Sequence, residues 1–301
     1  MTATVPGTTS AAAPTGGGGD AVLALRDAGL AYGSRELWHG LDLDVAPGEF
    51  VAVLGPNGAG KTSLLRTVLG QQELTSGRMS FLGKPVTRGH RRIGYIPQQR
   101  LMESGTPMRT RDMIALGVTG HRWGIRRERP AERARIDELV AEVGAATFAD
   151  APVAELSGGE QQRARVGQAI AADPALLLCD EPLISLDLRH QREVTQLIDR
   201  QRRLRNAAVL FVTHDVNPIL DVVDRVLYIA GGRFRIGSPD EVLRADVLSD
   251  LYGTPVDVVR TMGRIVIVGA ADPLGEIGAH DHHAHDHHTD HHPHGDDELV
   301  R

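Results

Sequence analysis

Residues 55–63 read Gly55-Pro56-Asn57-Gly58-Ala59-Gly60-Lys61-Thr62-Ser63, and the first eight of them have the spacing G-x-x-x-x-G-K-T. Glycines let a backbone bend around an anion so that its N–H groups face inward, and the lysine reaches the terminal phosphates. The threonine hydroxyl is placed for Mg²⁺, and the following helix offers the positive end of its dipole. The stretch therefore predicts a nucleoside triphosphate site.

The residues on either side of this loop predict the strand and the helix that it requires. Phe50–Leu54 is a continuous apolar run typical of a buried strand, and Lys61–Leu69 predicts the helix. Because strands and helices go on alternating along the chain, we expect an α/β fold with a mostly parallel sheet. The later predicted elements are helices at Gly159–Ala172 and Arg189–Arg205, strands at Ala175–Asp180 and Ala208–Thr213, shorter β runs at Val22–Leu25 and Leu41–Val45, and a hairpin near Val256–Val268.

Composition divides the chain into three parts. Residues 1–20 are rich in Ala, Thr, Gly and Pro and predict a disordered arm. Residues 21–270 predict the folded domain, in which about 107–158 form an inserted helical subdomain with amphipathic helices at Arg111–Leu116 and Ala131–Val143. Residues 271–301 are His- and Asp-rich and predict a disordered tail.

Charge and cysteine content exclude several classes of protein. A formal net charge of −6 lacks the basic excess of a nucleic-acid binder. One cysteine, Cys179, allows no intramolecular disulfide and favours a reducing compartment. Residues 1–20 lack the charged and apolar regions of a signal peptide, and no apolar run reaches the roughly 18 residues of a membrane span. We therefore expect a cytoplasmic protein or one peripheral to a membrane.

A second motif identifies the kind of nucleotide-using protein. Residues 156–163 read Leu156-Ser157-Gly158-Gly159-Glu160-Gln161-Gln162-Arg163 and resemble the signature of ABC-type ATPases. The resemblance covers roughly residues 22–250. It implies a P-loop NTPase core of the ABC ATPase type, with an antiparallel β portion and an inserted helical subdomain, that hydrolyses ATP with Mg²⁺.

Two carboxylates follow the apolar run at residues 176–179 and complete the expected chemistry. An aspartate at a strand end beside a phosphate loop can hold Mg²⁺, and an adjacent glutamate can orient and deprotonate the attacking water. Asp180 and Glu181 match that arrangement, which resembles a Walker B motif.

The resemblance assigns the remaining site residues. Gln98 matches the glutamine that contacts metal and attacking water, with Gln99 as a neighbouring alternative, and His214 matches the histidine that contacts the γ-phosphate. Tyr32 lies where the family has an aromatic that stacks on adenine. Ser157, Gly158 and Gly159 are expected to bind the γ-phosphate of ATP held by a second copy, and Asp187 belongs to a loop that crosses to that copy.

The implied partners follow from this arrangement. The resemblance implies that two head-to-tail protomers sandwich two nucleotides in an isologous dimer. Separate permease subunits in the membrane are then expected to receive the conformational change that ATP drives. An extracytoplasmic metal-binding protein would complete an importer. The stretches Leu183–Gln191 and Leu251-Tyr252-Gly253 resemble the ATPase subunits of zinc/manganese importers, which favours divalent-metal import with zinc ahead of manganese.

The tail holds nine histidines within residues 280–294: His280, His282, His283, His285, His287, His288, His291, His292 and His294. Imidazole is a common Zn²⁺ ligand, and the interleaved aspartates add oxygen ligands and hydrogen-bond acceptors. The dense spacing without thiols favours fluctuating Zn²⁺ binding over a closed structural site. Two interpretations remain open, a tail that buffers or senses metal for its own pathway and a solvated tail whose metal binding is incidental.

Other functions fit these motifs less well. A metallochaperone GTPase would need a guanine-reading Asn-Lys-x-Asp motif, which the lysines at 61 and 84 do not supply. An ABC ATPase importing another substrate, or one doing non-transport work such as DNA repair, remains the alternative. Co-purification with a membrane protein would separate a transporter subunit from the non-transport class.

Overall fold

The computed structural model describes residues 21–98, 108–120 and 129–269. The strands are β1 Leu23–Tyr32, β2 Arg35–Val45, β3 Phe50–Leu54, β4 Ser76–Phe81, β5 Lys84–Pro85, β6 Ile93–Ile96, β7 Leu176–Asp180, β8 Ala208–Val212, β9 Arg225–Ala230, β10 Arg233–Gly237, β11 Asp257–Thr261 and β12 Arg264–Val268. The α-helices are α1 Lys61–Val68, α2 Thr110–Thr119, α3 Pro130–Glu142, α4 Gly158–Ile170, α5 Leu188–Arg205, α6 Pro239–Val242 and α7 Ala245–Tyr252. The predicted arm and tail, and Gln99, lie outside the described residues.

The central sheet has six strands in the order β10-β9-β3-β8-β7-β6. Every pairing from β9 to β6 is parallel, and β10 pairs with β9 antiparallel. All five residues in each of β3, β7 and β8 are buried. Strands covered on both faces read as continuous apolar runs, which is why the sequence predicted these three so directly. The prediction of a mostly parallel α/β sheet is confirmed.

A second, antiparallel sheet of order β2-β1-β4-β5 extends the N-terminal side of the domain. Both β1 and β2 are longer than the predicted runs. A bulge interrupts the alternation of apolar and polar residues, so the sequence pattern predicts only part of each strand. The register of β1 with β2 shifts between Leu25 and Ala28, and Asp27 there has a φ of 48°. A bulge re-aims the following side chains, so the strand continues through residues that break the sequence pattern.

The helices between β6 and β7 pack on one another. Helix α2 lies against α3 and α4, and Ile114, Ile136, Leu139 and Val166 join the same buried cluster as the inner face of the main sheet. This packing fixes the beginning of α4 relative to the sheet. Among the described residues, no helix is long and apolar enough to cross a membrane.

The C-terminal part of the domain contains elements beyond those predicted from the sequence. The apolar run of β9 pairs with β3 on the side opposite β8, and α6 and α7 follow the β9–β10 hairpin. A final hairpin, β11–β12, lies near the position predicted for it. The described chain ends there, one residue after Val268.

Candidate functional site

Four strand ends bring the predicted site residues to one edge of the central sheet. In the pairing register Val53 and Asp180 both lie opposite Val212, and Ile96 lies opposite Cys179. The segments that leave these strands carry the phosphate loop, the two carboxylates, Gln98 and His214. The carboxyl edge of a parallel sheet is the usual ligand site of α/β proteins.

The loop between β3 and α1 has a backbone that only glycine adopts easily. Gly55 has a φ of 140°, and a Cβ there would lie 2.0 Å from the carbonyl oxygen of Ile229. Gly58 and Gly60 also have positive φ values, of 76° and 96°. Helix α1 starts after Gly60 with no side-chain cap, so its first N–H groups face the loop side and suit an anion.

The Lys61 ammonium lies inside this loop. Its Nζ donates hydrogen bonds to the carbonyl oxygens of Gly55 at 2.7 Å and Pro56 at 2.9 Å, and the side chain is buried. A buried ammonium next to uncapped helix N–H groups concentrates positive charge at one place. The loop can therefore attract a polyphosphate.

Thr62 and Asp180 place two oxygen groups together. The Thr62 hydroxyl donates to Asp180 Oδ1 at 3.1 Å, and the Tyr95 hydroxyl donates to Oδ2 at 3.4 Å. Burial raises the pKa of Asp180 above its ordinary value, although both hydrogen bonds oppose the shift. Burial and the neighbouring Asp180 raise the pKa of Tyr95 to about 12, so its phenol stays a neutral donor. Hard oxygen ligands beside a buried carboxylate fit Mg²⁺.

Glu181 has a strained backbone and faces the other predicted catalytic residues. Its φ is 46°, in the left-handed region, which costs a non-glycine residue about 1 kcal/mol. Its N–H donates to Val212 O at 3.0 Å, and Gln98 Nε2 donates to its Oε2 at 3.3 Å. Glu181 and His214 line the same pocket of about 90 Å³. The structure thus brings Gln98, Glu181 and His214 together.

Tyr32 lies beside the helix that follows the phosphate loop. Its hydroxyl is 3.2 Å from Ser63 Oγ and donates to Gln72 Oε1 at 2.6 Å. The hydrogen bond with Ser63 lowers the pKa of Tyr32. The side chain is 49% exposed, which leaves part of the ring free to contact a planar ligand.

The signature segment begins α4. Ser157 is the N-cap, and it forms a capping box in which its Oγ donates to Glu160 Oε2 at 2.7 Å and accepts from Glu160 N at 3.4 Å. Gly158 and Gly159 form the first turn of the helix. These contacts lower the pKa of Glu160, the Ser157 hydroxyl being the largest cause.

Gly159 and Asp187 meet at His190. A Cβ on Gly159 would lie 2.6 Å from His190 Cδ2, so only a glycine allows this approach without a shift of the ring. Asp187 is the N-cap of α5 and accepts from the N–H of His190 at 2.9 Å, while its Oδ2 is 2.8 Å from His190 Nδ1. The beginnings of α4 and α5 therefore form one unit.

Four residues near the site lie outside the roles predicted from the motifs: Glu160, Tyr95, His190 and Trp38. Glu160 could have been found, because Ser-x-x-Glu before a helix is a capping-box pattern. Tyr95, His190 and Trp38 have no such local signal. Trp38 is fully buried, and its Nε1 lies 2.9 Å from the position of a Cβ on Gly60. The indole therefore packs against the phosphate loop.

The predicted zinc ligands of the tail lie outside the described residues. Within residues 21–98, 108–120 and 129–269, no group of three or more His, Cys, Asp or Glu side chains is arranged to hold a metal ion. Zinc binding by the nine tail histidines therefore stays a prediction.

A phosphate loop on a parallel sheet, with a carboxylate pair at the end of β7 on the same edge, defines a P-loop nucleotide hydrolase. The ABC transporter family profile matches residues 38–184. The zinc transport ATP-binding protein TroB of Treponema pallidum is 33% identical over 67% of this chain and 75% of its own length. The zinc import ATP-binding protein ZnuC of Pseudomonas putida is 33% identical over 78% and 84%. The chain belongs to the ABC transporter ATP-binding proteins and is an ATPase.

Other relatives have a different named cargo. The sulfate/thiosulfate import ATP-binding protein CysA of Escherichia coli K12 is 35% identical over 78% of this chain. The chain spans only 65% of the length of that protein, and 59% of CysA from Yersinia pestis.

Solved structures agree on the fold. An ABC transporter in an inward-facing conformation matches with a TM-score of 0.70 and 24% identity, covering 82% of this chain and 96% of the other. CbiO1 of Clostridium perfringens, part of the ABC transporter complex CbiONQ, matches with a TM-score of 0.66 and 23% identity, covering 77% and 94%. The predicted fold class is confirmed.

Proposed function

We propose that the protein is the ATP-hydrolysing subunit of an importer for a divalent metal ion, zinc ahead of manganese, and that it drives separate permease subunits. In this proposal the N–H groups of the phosphate loop and the Lys61 ammonium bind the β- and γ-phosphates of ATP. Lys61 gives up its two loop carbonyls for phosphate oxygens. Thr62, Asp180 and Gln98 hold Mg²⁺, which neutralises charge on the phosphoryl oxygens when it is bound. Tyr32 stacks on the adenine.

Hydrolysis is carried out by residues on neighbouring strand ends. Glu181 accepts the proton of the attacking water as the water oxygen bonds to the γ-phosphorus and the bond to the β-phosphate oxygen breaks. Gln98, at 3.3 Å from Glu181, orients that carboxylate and the water. His214, on the same pocket as Glu181, donates to the γ-phosphate. The positive φ of Glu181 supports a functional role, because such strain is concentrated at active sites.

A second copy of the chain completes each site. Ser157 donates within one protomer to Glu160, and we propose that in the ATP-bound dimer it donates to the γ-phosphate of the partner's nucleotide. The backbone of Gly158 and Gly159 then approaches the same phosphate, and Asp187 reaches the partner. ATP acts as the bridge until hydrolysis removes it.

The permease is proposed to dock on the groove between the sheet and the helical insert. A cavity of about 280 Å³ lies there, with Tyr95 and His90 on the sheet side and Leu116 and Gln168 on the helix side. Leu116 is 46% exposed, which offers an apolar contact for a permease helix. Tyr95 donates a hydrogen bond to Asp180 and precedes Gln98 in the chain, so docking here would affect the nucleotide site. The protein would thus sit on the cytoplasmic face of the membrane, opposite an extracytoplasmic metal-binding protein.

The choice of metal as cargo rests on how completely the relatives match. This chain spans 84% of the zinc importer subunit ZnuC but 65% of the sulfate importer subunit CysA. The nine tail histidines support the same choice, since imidazole and carboxylate together suit Zn²⁺. The alternative is import of another substrate such as sulfate, which the 35% identity to CysA favours. In that case metal binding by the tail is incidental.

The test compares cells that carry the intact gene with cells that carry Glu181→Gln, in metal-poor medium. Total zinc, manganese, iron and nickel are measured together with sulfate uptake. We expect a selective fall in zinc. A fall in sulfate uptake with unchanged metal contents would replace the metal proposal with the alternative. The assignment of the chain as an ATPase would not change.

A further inference from the structure

Asn217 joins the turn after His214 to the C-terminal hairpin, which lies 48 residues away in sequence. Its Nδ2 donates to the carbonyl oxygen of Ile265 at 2.9 Å, and its Oδ1 accepts from the N–H of Ile265 at 2.8 Å. A side-chain amide that pairs with both backbone groups of one residue mimics a rung of a β-sheet. It therefore fixes the position of Asn217 against strand β12 along two bonds.

The same amide organises the turn that carries His214. Asp215 Oδ1 accepts from Asn217 N at 2.9 Å and from Asn217 Nδ2 at 2.7 Å. Thr213 Oγ1 donates to Asp215 O at 2.9 Å and accepts from Asp215 N at 3.2 Å. His214 thus lies between a buried threonine at the end of β8 and an aspartate held by Asn217. Each of these bonds restricts the backbone on one side of the histidine.

The anchor on the hairpin side is rigid. Ile265 is buried in the main core cluster, as are Val216 and Ile219 on either side of Asn217. A separate attachment holds the hairpin to α6, where Arg260 donates to Asp240 Oδ1 at 2.8 Å and to Leu243 O at 3.4 Å. The two attachments are chemically independent, so each can be removed without the other.

We infer that Asn217 is a positioning residue for ATP hydrolysis, which sets the place of His214 by tying its turn to β12. This inference rests on the proposed role of His214. It assigns to the C-terminal hairpin a part in catalysis although no residue of β11 or β12 contacts the nucleotide in the proposed mechanism. A displaced histidine would make a weaker hydrogen bond to the γ-phosphate in the transition state. The binding of ATP by the phosphate loop would be unchanged.

The test measures kcat and KM for ATP in four full-length proteins: wild type, Asn217→Ala, His214→Ala and the double variant. We expect Asn217→Ala to lower kcat roughly tenfold and to leave KM within about twofold, because misplacement by a fraction of an ångström affects the chemical step. In the His214→Ala background the same change should lower kcat by less than about twofold, since residues acting as one unit are not additive. Asn217→Asp, which keeps the size of the side chain but cannot donate to Ile265 O, should act in the same direction and covers the case in which the alanine variant does not fold.

Arg260→Ala is the matched control, because it removes the other attachment of the hairpin and should leave kcat within about twofold. If Asn217→Ala lowers kcat by the same factor with and without His214, Asn217 has only a structural role and the inference is wrong. Unchanged kcat in Asn217→Ala also overturns it. If His214→Ala itself retains normal hydrolysis, the proposed role of His214 fails first, and the inference fails with it.

Discussion

Gln98 Nε2 donates a hydrogen bond to Glu181 Oε2 at 3.3 Å. The two residues follow neighbouring parallel strands, β6 and β7, whose last paired residues are Ile96 and Cys179. Gln98 also follows β6 closely, on the side of the chain that leads to the helical insert. The contact therefore joins the proposed catalytic base to the segment through which the insert is connected.

Gln98→Ala should slow ATP hydrolysis by roughly tenfold or more, because Glu181 and the attacking water lose an orienting partner. The affinity for ATP without Mg²⁺ should stay within about twofold, since the phosphate loop is unchanged. Steady-state hydrolysis and equilibrium binding measure the two effects. Gln99→Ala is the matched control, and a larger loss in that variant would move the assignment from Gln98 to Gln99.

Gly55→Ala should abolish ATP binding and destabilise the domain by about 1–3 kcal/mol, because the added Cβ would lie 2.0 Å from a backbone oxygen of β9. Gly33→Ala is the control for the positive φ alone. Gly33 has a φ of 59° with nothing within 4 Å of its Cβ position, so that variant should cost about 1 kcal/mol and keep ATP binding. Denaturant unfolding and fluorescent-nucleotide binding test both. Normal nucleotide affinity in Gly55→Ala would contradict the geometry of the loop.

Glu160→Gln should lower stability at neutral pH by about 0.5 kcal/mol, the usual size of a charge at a helix N-terminus. The hydrogen bonds from Ser157 lower the pKa of Glu160 below its ordinary value of 4.5. A lowered carboxyl pKa gives stability that is present above pH 4.5 and lost as the pH falls through the folded-state pKa. The difference between wild type and variant should therefore shrink below pH 4.5.

Urea unfolding at pH 7 and pH 4 measures this difference. Glu155→Gln, at an exposed position in the turn before α4, is the matched control for the loss of a carboxylate near this helix end. A gap between wild type and Glu160→Gln that stays constant over this range would show that the capping box does not depend on the charge.

Deletion of residues 279–301 should leave ATP hydrolysis within about twofold of normal and remove most zinc binding. Imidazoles bind metal only when neutral, so zinc affinity of the intact protein should fall as the pH drops below about 6.5. Calorimetry with ZnCl₂ tests both points, and a tail of equal length with serines in place of its histidines is the control. Undiminished zinc uptake by the truncated protein would place the zinc site elsewhere.

The parts of the fold and site that the sequence predicts are those with local signals. Phe50–Leu54 and Ala208–Val212 are continuous apolar runs because both faces of their strands are covered. The glycines at 55, 58 and 60 indicate positive φ angles, and all three residues have them in the structure. Asp180 and Glu181 could be placed at the sheet edge because they follow directly on such a run.

The parts that could not be predicted depend on contacts between distant residues. Asn217 and Ile265 meet because two core segments pack together, and nothing in either local sequence indicates the pair. Nothing in the local sequence indicates the close approach of His190 to Gly159 either. Strand β1 was predicted too short because its bulge at Asp27 breaks the alternation on which such predictions depend.

In the proposed function, Glu181 is the base of an ATPase that dimerises around ATP. The most direct measurement is the hydrolysis rate of Glu181→Gln, with its oligomeric state in ATP and Mg²⁺ followed by size-exclusion chromatography with light scattering. We expect a rate lower by roughly 10²-fold or more and a stable ATP-bound dimer, since binding is intact and the step that separates the protomers is blocked. A variant that hydrolyses ATP at the normal rate and stays monomeric would contradict it.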